Sequence, residues 1–259
     1  MTYNTILFNK RDGVTTITLN RPDSYNAFNN EMGVEFLSAL QEVSNDEECR
    51  VVILTGQGKS FSSGQDLKEV DGSNIKLSEI LHHRYNPIIK AMREMPKPII
   101  CKLNGIAAGA GCSLVLACDY IVANDKSALA EVFINIGLVL DSGSTYFLPR
   151  LIGTNRAFEL ATTGRKVSAQ EAVEWGMINK CVPIESLDDE VAKMARYYAN
   201  APTKAIALMK QMINDSTNQT LDQVLEAEAL GQEIAGFSKD YEEGVNAFKE
   251  KRKPNFVGS

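Results

Sequence analysis

The stretch "PIICKLNGIAAGAGCSLVLACDYIVAN", Pro98 to Asn124, decides how this chain folds. Its first apolar run is short and nearly continuous, the pattern of a strand covered on both faces. Asn104 and Gly105 punctuate that run, and a glycine- and alanine-rich turn opens a helix in "GAGCSLVLACD". "YIVAN" is then another buried strand. Two buried strands joined by a helix make a crossover unit, which implies parallel strands with helices packed on the sheet.

The same texture extends upstream. "RVVILTG" is a third buried strand, and "YNTILFNKRDGVTTITLNRP" reads as two strands joined by the turn Lys10 to Gly13 and ended by Pro22. Met32, Phe36, Leu40 and Val43 recur at helical spacing, predicting an amphipathic helix from about Glu31 to Val43. Leu77 to Met95 reads as helical, with Pro87 bending it. From Asn155 onward the pattern is helical, interrupted by one short strand, "INKCVP". The expected division is an α/β core over residues 1–200 and a helical C-terminal oligomerisation region over 201–259, with no repeat or low-complexity linker between them.

Composition narrows the function. The chain has 259 residues, 44% hydrophobic and 23% charged, with a net charge of −6. That acidity argues against nucleic acid as a partner, because such binding rests on clustered Lys and Arg. No apolar run approaches the ~20 residues of a membrane span. "MTYNTILFNKRDG" lacks a basic region followed by an apolar stretch, so no secretory signal is expected and the location is taken as cytoplasmic. The 5 cysteines are an odd count without CxxC spacing, which reads as free thiols. His82 and His83, the 2 histidines, are sequence neighbours that point apart on a helix, so no metal site is expected.

Three places could carry chemistry. Gly58 to Leu67 ("GKSFSSGQDL") and Asn104 to Ser113 ("NGIAAGAGCS") are glycine-bearing turns after strands, where open parallel sheets bind ligands. Side by side, they could present two N–H groups to one oxygen, an oxyanion hole. Taken singly, they read equally well as a tight turn and as close helix packing. Neither matches the phosphate-binding GxxxxGK[ST] or GxGxxG patterns. The third place is Asp141, in "FINIGLVLDSGSTYFLPR". An Asp before small polar residues and a new apolar segment is a common helix cap, and it is also where a base could be aimed into a pocket. These residues alone favour the cap, because caps are common and catalytic carboxylates rare.

Taken together, the segments are more specific. "RPDSYNAFN", "VVILTGQGKSFSSGQDL", "PKPIICKLNGIAAGAGCSLVLACDYIVA", "GLVLDSGSTYFLPR" and "FKEKRKPNF" stand in the order of the crotonase superfamily, the enoyl-CoA hydratase/isomerase family. The resemblance covers essentially the whole chain. Within the family, "SGQDL", "YNP", "AAGAG", "EWGMI" and "DYEEGVNAFKEKRKPNF" resemble the branch of 2-(1,2-epoxy-1,2-dihydrophenyl)acetyl-CoA isomerases.

The resemblance implies a spiral α/β fold of repeated ββα units, the ClpP/crotonase-like fold. It also implies a homotrimer or homohexamer, and a coenzyme A thioester as substrate with no other cofactor. It places the oxyanion-hole donors at the N–H groups of Gln65 and Ala110. It assigns the CoA-binding backbone to Ser63, Asp66 and Leu67. It brings Phe248, Lys251 and Arg252 of the tail to CoA, often from a neighbouring subunit. The family's two hydratase glutamates fall on Ser113 and Phe133, so both water-holding groups are missing. Asp141 stands where several isomerases of the superfamily carry their acid/base carboxylate, which turns the reading of Asp141 from cap to base, aided by the helix dipole.

The implied activity is therefore acyl-CoA isomerisation, with Δ3,Δ2-enoyl-CoA isomerisation, hydration, and a non-catalytic thioester- or RNA-binding relative as successive alternatives. Glu131, two residues from Phe133, could share its face in a strand, but reads as a surface or structural carboxylate. Ser113 lacks a histidine to activate it and reads as packing. Trp175 reads as core, and Tyr85 and Asn86 as acyl-pocket candidates or helix packing.

Overall fold

The computed structural model describes residues 2–69 and 76–259. The chain opens with β1 (Ile6–Arg11) and β2 (Val14–Leu19), an antiparallel pair. Asp12 and Gly13 both have positive φ, which matches the right-handed twist of the strands they join. α1 (Asn30–Asn45) starts where the Asn29 side chain accepts the Met32 N–H, and it buries Met32, Phe36, Leu40 and Val43.

Three strand pairs follow, each trailed by helix. They are β3 (Val51–Gly56) with β4 (Ser60–Ser62), β5 (Ile99–Leu103) with β6 (Ile106–Ala108), and β7 (Tyr120–Asn124) with β8 (Ala128–Ala130). Between the first two pairs lie α2 (Leu77–Ile80) and α3 (Asn86–Glu94), and after β6 comes α4 (Ala110–Leu116). After β8 a 3-10 turn (Val132–Ile136) leads through a loop to α5 (Ser144–Ile152) and α6 (Thr154–Thr163). Then come β9 (Lys166–Ser168), α7 (Ala169–Glu174), β10 (Lys180–Val182) and α8 (Leu187–Ala199), and the helices α9 (Thr203–Ser216), α10 (Leu221–Gly236) and α11 (Lys239–Glu250).

The first strand of each pair joins a six-stranded sheet ordered β1-β2-β3-β5-β7-β10, parallel from β2 onward. The second strand joins a smaller sheet ordered β4-β6-β8-β9, parallel except for β9. Each ββα unit thus steps both sheets sideways by one strand, which winds the chain into a spiral. The main core lies between the sheets and α1, α3 and α4, and a second apolar cluster packs α8 on the opposite face through Leu187, Val191 and Ala195.

Two local expectations differ. The run from Leu77 does not simply bend at Pro87. Leu81–Tyr85 winds as a π turn, with the Asn86 N–H bonded to the Leu81 carbonyl, ahead of the proline that cannot donate to a preceding turn. The segment around Glu131 is not an alternating strand either, because β8 ends at Ala130 and Phe133 lies in the 3-10 turn.

The helical C-terminal segment is latched to the sheet layer by one buried cation. The Lys210 ammonium donates to the Met92 and Lys97 carbonyls (2.9 and 3.1 Å) and to Asp119 Oδ2 (2.7 Å). Burial lowers the Lys210 pKa, and Asp119 opposes that shift. Lys210→Ala is expected to cost about 1–3 kcal/mol in urea unfolding, since it leaves the Met92 and Lys97 carbonyls without their donor, while Arg93 and the Ile99 N–H still hold the Asp119 carboxylate. A loss under about 1 kcal/mol would show that the latch is replaceable. Beyond it, Met209, Ile213, Leu225, Leu230, Ile234 and Phe237 are exposed apolar side chains on and next to α9 and α10.

Candidate active site

The smaller sheet sets two glycine turns against each other. After β4 the chain reverses at Gly64, whose φ is +87°. Phe28 bridges to Gln65, its N–H donating to the Gly64 carbonyl while its own carbonyl accepts the Asp66 N–H. A Cβ at Gly64 would lie 2.8 Å from the Ala108 carbonyl oxygen and 3.2 Å from the Ala110 nitrogen, so the two turns touch through backbone alone. The positive φ of the second turn falls on Gly109 (+52°), which leaves Ala110 an ordinary first residue of α4. The N–H groups of Gln65 and Ala110 have no hydrogen-bond partner among the described residues.

The Gln65 side chain is held away from this backbone. Its Oε1 accepts the Tyr85 hydroxyl (3.0 Å) and Arg84 Nη1 (3.1 Å), and its Nε2 donates to the Asp66 carbonyl (3.1 Å). Burial raises the Tyr85 pKa, so the phenol stays a donor. Sequence reasoning left Tyr85 open between pocket and packing; it serves both, lining the cavity and fixing Gln65. Asn86 is not among the lining residues.

Both turns open on a cavity of about 520 Å³. Leu77, Ile80 and Leu81 close one side, and Phe133, Leu138 and Leu140 the other. Among the described residues, Asp141 is the only charged side chain lining it. Asp141 does not cap a helix: α5 begins at Ser144 behind Gly143, without a side-chain cap. Its Oδ1 accepts the Ser142 hydroxyl (2.7 Å), and Oδ2 has no partner among the described residues. Burial raises the Asp141 pKa, opposed by the Ser142 hydrogen bond.

The other expected site residues separate. Ser63 and Leu67 line the same cavity at its exposed rim. Asp66 is buried beneath it, where its carboxylate pairs with Arg21 (2.9 Å) and accepts the Lys68 N–H (3.2 Å). Lys251 ends α11 with φ +55°, exposed and outside the cavity lining, and Arg252 is engaged by Glu243 and Glu250. Ser113 is fully buried. Its hydroxyl lies 2.7 Å from that of Ser144 and 3.2 Å from the Asp141 main-chain oxygen, so it joins α4 to the Asp141 loop.

Glu131 is not a surface group. It is 1% exposed, its Oε1 accepts the Ser144 hydroxyl (2.8 Å), and burial pushes its pKa up to about 7. The one signal available in the sequence was a lone carboxylate inside the apolar run "SALAEVFINIG".

Gln65, Ala110 and Asp141 thus line one largely apolar cavity. Residues 9–259 match the enoyl-CoA hydratase/isomerase family. The chain is 42% identical to the 1,2-epoxyphenylacetyl-CoA isomerase of Escherichia coli (strain K12), over 98% of each chain. The crystal structure of an enoyl-CoA hydratase from Bacillus anthracis superposes with a TM-score of 0.92 at 36% identity, covering 99% of this chain and 100% of that one. An enoyl-CoA hydratase structure from Mycobacterium smegmatis gives 0.93 at 32% identity, covering 98% and 99%. The paired strands, the spiral of ββα units and the match along nearly the whole length have one explanation: the chain is a member of the enoyl-CoA hydratase/isomerase family and has its crotonase fold.

Proposed function

We propose that the protein is an acyl-CoA isomerase that works through a thioester enolate, with 1,2-epoxyphenylacetyl-CoA as its substrate. The observation that carries this reading is Asp141, among the described residues the single charged group on an apolar cavity also lined by Gln65 and Ala110, whose N–H groups have no partner among those residues. In this reading the two N–H groups hold the thioester oxygen as negative charge develops there, each worth roughly 3 kcal/mol in the transition state. Asp141 Oδ2 takes an α-proton, a step worth roughly 10²–10⁴ in rate. Its raised pKa brings the carboxylate closer to the pKa a general base needs near neutrality.

The ring carbon–carbon bond shared with the epoxide then breaks while both C–O bonds persist, which gives the seven-membered oxepin; the enolate charge delocalises into that ring, and Asp141 returns the proton to a ring carbon. The reaction is an isomerisation, so no electrons leave the substrate, and the chemistry needs neither a resident metal nor a redox cofactor. The identity to the E. coli isomerase supports the choice of acyl group. Δ3,Δ2-enoyl-CoA isomerisation is the second reading, favoured by the aliphatic wall of Leu77, Ile80, Leu81, Leu138 and Leu140, which suits a straight acyl chain as well as a ring.

The rim at Ser63 and Leu67 would carry the CoA moiety. Lys251 would reach it only from a neighbouring subunit, and the exposed apolar side chains of α9 and α10 support such a homo-oligomer. Among the described residues no helix is long and apolar enough to cross a membrane.

The reading is tested by offering the purified protein three thioesters: the ring epoxide, a Δ3-enoyl-CoA and crotonyl-CoA. Hydration of crotonyl-CoA is expected to run at least about 10²-fold below isomerisation, since among the described residues Asp141 is the one carboxylate on the cavity and no second one is there to hold water. Ser113 is spent on the Asp141 loop, and Phe133 presents a ring to the cavity. Hydration at a rate comparable to isomerisation would overturn the assignment.

A further inference from the structure

Glu131 is a buried titratable group that this reaction leaves unused. Its Oε1 lies 2.8 Å from Ser144 Oγ, which lies 2.7 Å from Ser113 Oγ, which lies 3.2 Å from the main-chain oxygen of Asp141. The chain of contacts joins the end of β8, the first residue of α5, the middle of α4 and the loop that carries the proposed base. Glu131 Oε2 has no hydrogen-bond partner among the described residues.

Proton counting gives this chain a direction. Each serine hydroxyl has one proton to donate. An ionised Glu131 can only accept, so Ser144 donates to it and Ser113 donates to Ser144. No hydroxyl proton then remains for the Asp141 carbonyl. With the proton on Glu131 Oε1, every bond reverses: Glu131 donates to Ser144, Ser144 to Ser113, and Ser113 to Asp141. The competing acceptor for Ser113 is the Gly109 carbonyl, at a longer 3.4 Å. The neutral state also leaves a bare carbonyl oxygen at Oε2 rather than a bare buried charge, which is the less costly arrangement.

We propose that Glu131 is a positioning residue for Asp141: in its protonated form it drives the Ser144–Ser113 chain onto the Asp141 carbonyl and holds the base in place, and its ionisation releases that hold. The proposal rests on Asp141 being the base.

The surroundings of Glu131 agree with it. Burial is the largest cause of its raised pKa, and the Asp141 charge adds to it. From α4 it meets the Cys112 thiol, which like the Ser144 hydroxyl opposes the rise, and whose own pKa burial raises well above the ordinary value. From α5 it meets only the Ser144 hydroxyl, and the 3-10 turn beside it (Val132–Ile136) carries no titratable side chain.

The test follows exchange of the α-hydrogens of phenylacetyl-CoA with deuterated water from about pH 5 to about pH 9 in wild type, Glu131→Gln, Ser144→Ala and Asp141→Asn. Wild-type exchange should rise as Asp141 ionises and then fall on the order of tenfold above about pH 7, as Glu131 ionises and the base loses its placement. The Gln amide N–H donates to Ser144 at every pH, so Glu131→Gln should lack that fall and exchange about tenfold faster than wild type at the alkaline end. Ser144→Ala cuts the chain and should exchange slowly throughout, without an alkaline limb.

Thermal unfolding supplies a readout independent of turnover. Because the Glu131 pKa is raised in the fold, the folded chain holds more protons than the unfolded one. Wild type should therefore lose stability relative to Glu131→Gln as pH rises from about 4.5 to about 7. An inactive Asp141→Asn together with an unchanged alkaline limb in Glu131→Gln overturns the positioning role alone. An Asp141→Asn that exchanges normally overturns the base, and the role with it.

Discussion

Asp141→Asn is expected to slow isomerisation by at least about 10²-fold, and exchange of substrate α-hydrogens with it, because an amide cannot accept the proton at neutral pH. The fold should survive. The side chain caps no helix, and the Asn carbonyl can still accept the Ser142 hydroxyl that Asp141 Oδ1 accepts at 2.7 Å. Stability at neutral pH should stay the same or rise, within about 1 kcal/mol. Since burial raises the Asp141 pKa, the folded chain binds that proton more tightly than the unfolded chain does. The ionised carboxylate therefore costs stability as pH rises past the ordinary carboxylate range, and the amide escapes that cost. Melting, turnover and exchange on this one variant decide the matter. Near-normal turnover would reduce Asp141 to a loop residue.

Gly64→Ala should be nearly as damaging, by a different route. The residue has φ +87°, and an added Cβ would meet the Ala108 oxygen at 2.8 Å and the Ala110 nitrogen at 3.2 Å, both of them backbone atoms that cannot swing aside. The two turns must separate, which in the proposed mechanism parts the N–H groups of Gln65 and Ala110 from the thioester oxygen they share. Losing one such donor costs about 10²–10³ in kcat. The loss should appear in kcat more than in KM, because the interaction tightens only as charge develops on the thioester oxygen. Stability should fall by on the order of 1–3 kcal/mol from the strained backbone. A folded Gly64→Ala with wild-type kcat would remove the paired turns from the mechanism.

How much of this was legible in the sequence depends on how far each feature reaches along the chain. The long apolar runs of β3, β5 and β7 announced a parallel sheet, because a strand covered on both faces must be apolar nearly throughout. Residue periodicity missed β4, β6, β8 and β9. At three residues each they are too short to show an alternation, and it was the resemblance to the family that implied ββα units. The two glycine turns could be picked out singly, while their contact through the backbone around Gly64 and Ala110 could not.

Asp141 and Glu131 mark the boundary most clearly. Both are carboxylates in apolar surroundings, and the sequence by itself determined that such groups stood at the end of one apolar run and inside another. Only the tertiary structure decided that Asp141 faces the cavity instead of capping α5, and that Glu131 is sealed against Ser144 and Cys112 rather than turned to solvent. The reason is physical. Strand and helix propensities follow from neighbours in the chain, whereas the charge state and aim of a carboxylate follow from which other segments exclude water from it, and those segments, Leu77 and Tyr85 beside Asp141 among them, lie far away in the chain.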